Sequence, residues 1–407
     1  MESNVITDFF SRIFKGDKTI WGIYIALCAI SLLEVFSASS QLIYGKASHW
    51  GPVLYHALFI IAGFMAVMIL QRVPTRIFSS LILLLPVACI LLIFVMIWGE
   101  EVNGAQRWAS FLGGVKFQPS ELAKLAVVGF VAFFLSRTNK ENEKAMFYTI
   151  IIGTALPCVL IISQNLSTAL MIGFIALLMM YLGQISWKRL MAVVLICAAL
   201  GAAVFGLLQL LPDQMEDNNP LKRFATWKAR IERFMEPSAD KEEVIITRMS
   251  QIPDDERQVI YSKAAIANGG IVSLPGSGSV RDVLPQAFSD FIFAVILEEM
   301  GFLGGIAVLL LYVALMIRAG MLARKCKKNF PKYLLLGIAL MITIQALINM
   351  GVAVSLFPVT GQPLPLISRG GTSILVTSIC FGIMLACSNF EEEHENADES
   401  VANVQFD

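Results

Sequence analysis

The stretch Ile77–Trp98 reads IFSSLILLLPVACILLIFVMIW and contains no charged residue. A bilayer's hydrocarbon core is about 30 Å thick, and a helix needs about 20 apolar residues to cross it. The whole chain agrees with this stretch, since 57% of its residues are hydrophobic, 15% are charged and its mean hydropathy is +0.71. Soluble domains carry about 25% charged residues. The sequence therefore predicts an integral membrane protein, and a net charge of zero gives no basic face for nucleic acid.

The same length criterion predicts an all-α bundle of ten transmembrane helices. The fourth candidate is short and carries charge, and the fifth and sixth are nearly fused around residues 163–167. The ten predicted spans are Ile20–Ser40, Val53–Gln71, Ile77–Trp98, Leu122–Ser136, Met146–Ile162, Ser167–Gly183, Leu190–Leu211, Phe291–Ile317, Tyr333–Leu356 and Thr372–Cys387.

Lysine and arginine set the predicted orientation. With the N-terminus inside, the inside segments hold 16 of these residues and the short outside loops hold four, which fits the positive-inside rule. Both termini are then cytoplasmic. The predicted organisation is a cytoplasmic segment 1–19, spans 20–211, a long extracytoplasmic loop 212–289, spans 290–388 and an acidic, disordered cytoplasmic tail 389–407.

The long loop between spans seven and eight is polar and of mixed charge. Within it, Leu221–Phe234 has an amphipathic helical pattern, typical of a segment that lies on the membrane or covers a cavity. For Met235–Arg257 a merely solvated loop is an equal alternative. The later segment Asn268–Arg281 is rich in glycine but lacks the ending of a nucleotide-binding P-loop.

Charged residues inside predicted spans are candidates for function, because a charge at the bilayer centre costs at least about 2.5 kcal/mol. Glu121 and Lys124 lie three residues apart on one helix face. The alternative is a pair near the interface that only neutralises itself. Asp290 is predicted at the outer mouth of span eight, with Glu298 and Glu299 about two turns deeper. A structural Asp290, at a helix start capped by Ser289, is the competing interpretation.

Arg369 precedes Gly370, Gly371 and Thr372 at a predicted helix start, a combination that can hold an anion through charge and backbone N–H groups. A tight interhelical turn is an equal alternative. The histidines and cysteines show no metal-ligand spacing, and the cysteines are predicted to form no disulfide. Chemistry is therefore expected from carboxylates and basic residues around a membrane cavity.

These segments, together with Asn103–Trp108, Ser262–Gly270 and Asn349–Ser373, resemble the SEDS family, which includes FtsW, RodA and SpoVE. The resemblance implies a peptidoglycan glycosyltransferase that polymerises lipid II, with Asp290 as general base. The implied substrate-binding residues are Arg107, Trp108, Glu121, Lys124, Glu298, Ser368 and Arg369.

Two positions depart from the family pattern. Asn165 stands where many members have an aspartate, and Arg369 replaces a common tyrosine. The expected chemistry is a single inverting displacement, in which Asp290 accepts the proton of the acceptor hydroxyl. Lys124, Arg369, Arg107 or a divalent cation (Mg²⁺ or Mn²⁺) would stabilise the leaving diphosphate.

The resemblance also implies partners and a location: a class B penicillin-binding protein, other divisome proteins and membrane lipids, in the bacterial cytoplasmic membrane at the division septum. The division-type member is preferred over the elongation type. A lipid II flippase is the main rival, since intramembrane charges and broken helices suit transport equally well. A scaffold that only recruits a partner leaves the charged residues in the spans unexplained.

Overall fold

The computed structural model describes residues 13–38, 50–102, 105–110, 116–209, 254–274, 276, 278–280 and 289–404. In these ranges the chain forms a helical bundle with one small sheet. The helices are α1 (Lys18–Ala38), α2 (Trp50–Leu70), a 3₁₀ segment (Ile77–Leu83) leading into α3 (Leu84–Trp98), α4 (Pro119–Leu135), α5 (Glu143–Ile162), α6 (Leu166–Leu182), α7 (Trp187–Gln209), α8 (Asp254–Gly269), α9 (Ile292–Lys325), α10 (Asn329–Ala353) and α11 (Gly371–Val404).

Within the described residues, each of the ten predicted spans is largely helical in the structure. Eight of the described helices are long and apolar enough to cross a membrane, and α4 and α6, of 17 residues each, occupy the predicted fourth and sixth spans. The prediction of an all-α integral membrane protein is confirmed, apart from three short antiparallel strands between α3 and α4. The strands are β1 (Glu100–Val102), β2 (Ala105–Ser110) and β3 (Lys116–Phe117), with Glu100 opposite Trp108 and Ala109 opposite Phe117.

Helices α10 and α11 form the centre of the bundle. In the most apolar 18-residue stretch of each helix, 72% of the residues of α10 and 83% of those of α11 are buried, whereas only 6% are buried in α7. Helix α11 packs along α2, and α10 packs against α4, α6 and α9. The apolar side chains of α7 therefore face outward, as expected of a helix whose solvent is lipid, whereas α10 and α11 contribute the polar groups of the interior.

Helix α9 is interrupted at Gly301, whose φ of 71° and ψ of −176° are not helical. The hydroxyl of Ser37, in the last turn of α1, donates to Glu299 Oε1 at 2.5 Å, whereas Arg318 pairs with Asp17, which precedes α1. Residues 302–318 therefore run the length of α1. Residues 292–299 lie buried at the end of the bundle where α1 finishes. The crossing part of span eight thus begins about ten residues later than the predicted Phe291.

The expected depth of Glu298 and Glu299 is therefore wrong. Ser37 lies 19 residues into α1, or about 29 Å at 1.5 Å per residue, so Glu299 lies at the far end from Lys18. The apolar character of residues 292–297 comes from burial inside protein and not from crossing lipid. A continuous apolar run does not distinguish these two environments.

The described part of the long loop contains helix α8, while the predicted amphipathic segment Leu221–Phe234 lies outside the described residues. At the other end, α11 continues as a helix to Val404, so the predicted disordered tail is helical in its backbone. Residues 390–404 contain no glycine or proline to end the helix. All seven cysteines are free.

Candidate active site

Asp290 lies in the turn ahead of α9 and is partly buried. The Ser289 hydroxyl donates to Asp290 Oδ1 at 3.0 Å. The N-cap position of α9 is Phe291, with no side-chain cap, so the alternative in which Ser289 caps the helix is wrong. The carboxylate of Asp290 is therefore not explained by capping.

The irregular segment 354–370, between α10 and α11, packs against the Asp290 turn. Ser368 Oγ donates to the carbonyl of Ser289 at 2.6 Å, and Asn349 Nδ2, near the end of α10, donates to the carbonyl of Asp290 at 2.9 Å. Tyr312, on α9, fixes the same segment by donating to the carbonyl of Pro365 at 2.5 Å. The next residue, Leu366, is buried with a φ of 64°, a strained conformation for a branched side chain.

Glu121 and Lys124 form a fully buried ion pair at 2.8 Å. Pro119 begins α4 as a first-turn proline, which places Glu121 in the first turn and Lys124 one turn on. Lys124 also donates to Gln345 Oε1 at 2.6 Å, and Gln345 Nε2 donates to the carbonyl of Pro363 at 2.9 Å. The ion pair is thus connected, through Gln345, to the irregular segment 354–370.

Glu298 and Glu299 hold the glycine-rich segment. Glu298 Oε1 accepts the main-chain N–H groups of Ser279 and Val280, both at 2.9 Å, and Glu299 Oε2 accepts that of Gly276 at 3.0 Å. Both carboxylates are buried. Their position inside an apolar run is therefore explained by charge-assisted hydrogen bonds to a loop.

Residues 17–393 match the FtsW/RodA/SpoVE family model, described as a cell cycle protein. The chain belongs to the FtsW/RodA/SpoVE family. It is 30% identical over 376 residues to the peptidoglycan glycosyltransferase MrdB of Escherichia coli K12, covering 91% of this chain and 92% of the relative. It is 29% identical over 392 residues to the probable peptidoglycan glycosyltransferase FtsW of Enterococcus hirae, covering 94% of each.

Two solved structures share the fold. A chain from a peptidoglycan synthase complex aligns with a TM-score of 0.71 at 24% identity, covering 92% of this chain and 98% of that one. The rod shape determining protein RodA of Thermus thermophilus aligns with a TM-score of 0.61 at 23% identity, covering 91% and 96%. The predicted family and its multi-pass membrane architecture are confirmed, and the predicted enzyme class agrees with the relatives' names.

The FtsW/RodA/SpoVE resemblance also implicates residues that lie outside the Asp290 turn. Trp108 is partly buried in β2, and Arg107 precedes it in the same strand, with its side chain outside the description. Arg369 is partly buried, and this burial lowers the pKa of its guanidinium, while nearby Tyr55 raises it. The structure brings Ser368 to the Asp290 turn. Substrate binding stays a prediction for Trp108, Glu121, Lys124, Glu298, Ser368 and the two arginines.

Sequence reasoning missed several polar residues of this region. The Nε2 atom of His56, one of the histidines without metal-ligand spacing, lies 2.8 Å from Ser31 Oγ, which donates to the carbonyl of Ile367 at 3.0 Å. Asn165, of unassigned role, caps α6 by accepting the N–H of Thr168 at 3.2 Å. Aspartate is an equally good cap, so both family variants fit this position. The amide side chains of Gln345 and Asn349 lie within the apolar helix α10. Polar groups at such positions were the sequence signal that could have pointed to this region.

No group of three or more histidine, cysteine, aspartate or glutamate side chains converges on a possible metal position within the described residues. Magnesium sites often use one or two carboxylates together with substrate phosphates, so a dedicated cluster is not required. The expected Mg²⁺ or Mn²⁺ remains a prediction.

Proposed function

We propose that this chain is a peptidoglycan glycosyltransferase that polymerises lipid II, with Asp290 as the general base. The observation that carries the proposal is the partly exposed carboxylate of Asp290, supported through its own backbone at one end of a membrane bundle. Two of the named relatives of this family carry the same activity in their names.

The proposed reaction is one inverting displacement. The acceptor hydroxyl transfers its proton to Asp290 as its oxygen bonds to the anomeric carbon of the donor, and the bond from that carbon to the diphosphate breaks. The diphosphate leaves with the electron pair. General-base assistance is typically worth about 10²- to 10⁴-fold in rate.

Arg369 is the cation we assign to the leaving diphosphate. Lys124 is fully buried and already bonded to Glu121 and Gln345, so its charge is used inside the protein. Arg369 instead lies in the loop beside Ser368, is only partly buried, and precedes the first turn of α11. A helix N-terminus adds a partial positive charge and N–H donors at the same place.

The test measures polymerisation of lipid II by purified protein, with and without a class B transpeptidase and divalent cation, on a glycan-length gel. Asp290→Asn keeps the size of the side chain but removes the base, and we expect its rate to fall at least about 10²-fold. Glu141→Gln, at an exposed carboxylate between α4 and α5, is the matched control.

Near-normal polymerisation by Asp290→Asn would refute the assignment. If the unmodified protein makes no polymer even with partner and cation, the flippase alternative is favoured, and translocation of lipid II across liposomes is the measurement that decides it.

We further propose that the chain acts at the division septum, together with a class B penicillin-binding protein. A chain from a peptidoglycan synthase complex shares the fold, which supports a partner of this kind. The elongation-type role is the alternative, because identity to MrdB and to FtsW is similar at 30% and 29%. A fluorescent fusion concentrated at the septum supports the division role, and one spread along the side wall supports elongation.

A further inference from the structure

The main-chain carbonyls of Ser289 and Asp290 precede the carbonyls that accept hydrogen bonds within α9. The first of these accepting carbonyls is that of Phe291, which accepts from Ala294 N at 3.0 Å and from Val295 N at 3.4 Å. The two earlier carbonyls therefore need partners from elsewhere, and those partners decide how the Asp290 residue is oriented.

Ser368 holds the first carbonyl. Its hydroxyl donates to Ser289 O at 2.6 Å and accepts the N–H of Leu364 at 2.7 Å. The side chain is buried. A hydroxyl has a single hydrogen to donate, and that hydrogen is used here on the backbone, which leaves Ser368 no donor for a substrate.

Asn349 holds the second carbonyl. Its amide nitrogen donates to Asp290 O at 2.9 Å and to Gln362 O at 2.7 Å. An amide nitrogen has two hydrogens, and both are used, so the amide orientation is determined: the reverse orientation would set Oδ1 against two carbonyl oxygens. The side chain is 1% exposed, so it acts on Asp290 from inside the protein.

The residues behind these two contacts are themselves fixed. Gln362 donates its side-chain amide to the hydroxyl of Thr168, in the first turn of α6. The carbonyl of Pro365, three residues before Ser368, is held by Tyr312. Asn349 belongs to α10, one of the two most buried helices. The carbonyls of Ser289 and Asp290 are thus hydrogen-bonded from two directions by side chains that are themselves fixed in the bundle.

We propose that Asn349 and Ser368 are positioning residues that fix the Asp290 carboxylate for proton transfer by clamping the two carbonyls at 289 and 290. This inference rests on the proposed role of Asp290. Neither residue contacts the reacting atoms. Because a displacement of about 1 Å in a catalytic group can cost about 10² in rate, loss of either contact lowers kcat, while KM for lipid II stays nearly unchanged.

Ser368→Thr and Ser368→Val form the decisive pair, since the two side chains share a shape and differ only in the hydroxyl. We expect Ser368→Thr to keep most of the kcat and Ser368→Val to lose about 10- to 100-fold. Asn349→Leu, similar in shape and without N–H groups, is expected to fall in the same range. The combined variant should lose less than the product of the two single losses, because both contacts fix the same residue, Asp290.

Ser388 supplies the matched control for the loss of a buried hydroxyl–carbonyl contact. Its hydroxyl donates to the carbonyl of Leu385 at 2.8 Å and accepts the N–H of Asp17 at 3.0 Å, at the end of the bundle opposite Asp290. Ser388→Val should lower thermal stability in detergent compared with Ser388→Thr but leave kcat equal in the two. This separates general destabilisation from positioning.

Each result bears on a different step. If Asp290→Asn is inactive while Ser368→Val and Asn349→Leu keep normal kcat, the clamp is refuted and the general base stands. If these variants raise KM and leave kcat unchanged, the residues bind substrate and the positioning role is refuted. If Asp290→Asn polymerises normally, the proposed base fails and the clamp fails with it.

Discussion

Lys124 divides its ammonium group between two partners inside the bundle, the carboxylate of Glu121 and the amide oxygen of Gln345. The side chains of Lys124 and Glu121 are 2% and 6% exposed. At the scale of single residues, such a pair costs desolvation and is kept only when its geometry and further hydrogen bonds compensate. The link through Gln345 to Pro363 satisfies this condition and connects the pair to the irregular segment 354–370.

Lys124→Met should therefore destabilise the protein strongly, by about 3–5 kcal/mol, because it leaves the Glu121 carboxylate buried without its cation. The double variant Glu121→Gln/Lys124→Met removes both charges and should recover part of the loss. Thermal stability in detergent is the measurement.

The surface pair Lys116–Glu100, at 3.1 Å and about half exposed, is the control: Lys116→Met should cost at most about 1 kcal/mol. A double variant as unstable as Lys124→Met would contradict the account. The folded double variant also tests the predicted substrate role, since KM for lipid II rises if the pair binds substrate.

At the scale of elements, the break in helix α9 at Gly301 is stabilised by hydrogen bonds to the glycine-rich loop. The N–H groups of Phe302 and Leu303, freed by the break, donate to the carbonyls of Gly270 and Ile271 at 3.0 and 3.2 Å. Before the break, Glu298 and Glu299 accept N–H groups of the same loop. Loop and helix thus satisfy each other's unpaired backbone groups, as a helix terminus inside protein requires. This places the loop that leads to Asp290 firmly against α9.

Gly301→Ala should disrupt this junction. The residue has a positive φ, and an added Cβ would lie 2.6 Å from the carbonyl oxygen of Ile271 and 2.8 Å from Val272 Cα. Backbone atoms cannot move aside as a flexible side chain does, so we expect a large loss of thermal stability and of polymerisation.

Gly320, further along α9, has open space around its Cβ position. Gly320→Ala should therefore be neutral or stabilise by about 0.5–1 kcal/mol, as expected for alanine in a helix interior. If Gly301→Ala and Gly320→Ala had the same thermal stability, the break in α9 would not contribute to the stability of the fold.

At the scale of the whole molecule, the distribution of lysine and arginine predicts which side of the membrane each end of the bundle faces. Cys326 lies between α9 and α10, among Arg324, Lys325, Lys327 and Lys328, and is partly exposed. Asp290 lies at the opposite end of the bundle, so the side on which Cys326 is labelled also places the active site.

A variant that keeps Cys326 and replaces the other six cysteines with alanine should react with a membrane-impermeant maleimide only after the membrane is opened. Lys116→Cys in a cysteine-free chain, at an exposed residue of the predicted outer side, is the control and should react in intact cells. Labelling of Cys326 from outside would reverse the predicted orientation and place Asp290 in the cytoplasm.

The sequence by itself determined the membrane class and the helical character of the ten spans, and it singled out Asp290, Glu121 and Lys124 as candidate functional residues. These follow from local properties: the length of apolar runs and the cost of charge within them. Family resemblance added the enzyme class through residues that stand close together along the chain, such as Ser289 and Asp290.

Only the tertiary structure decided where α9 crosses the bundle, that Glu298 and Glu299 hold a loop, and that Ser368 and Asn349 grip the peptides at 289 and 290. An apolar run looks the same whether protein or lipid surrounds it, so burial at the bundle's end was mistaken for a crossing. Hydrogen bonds between residues that are 59 or 79 positions apart depend on how helices pack, and no local pattern in the chain records that packing.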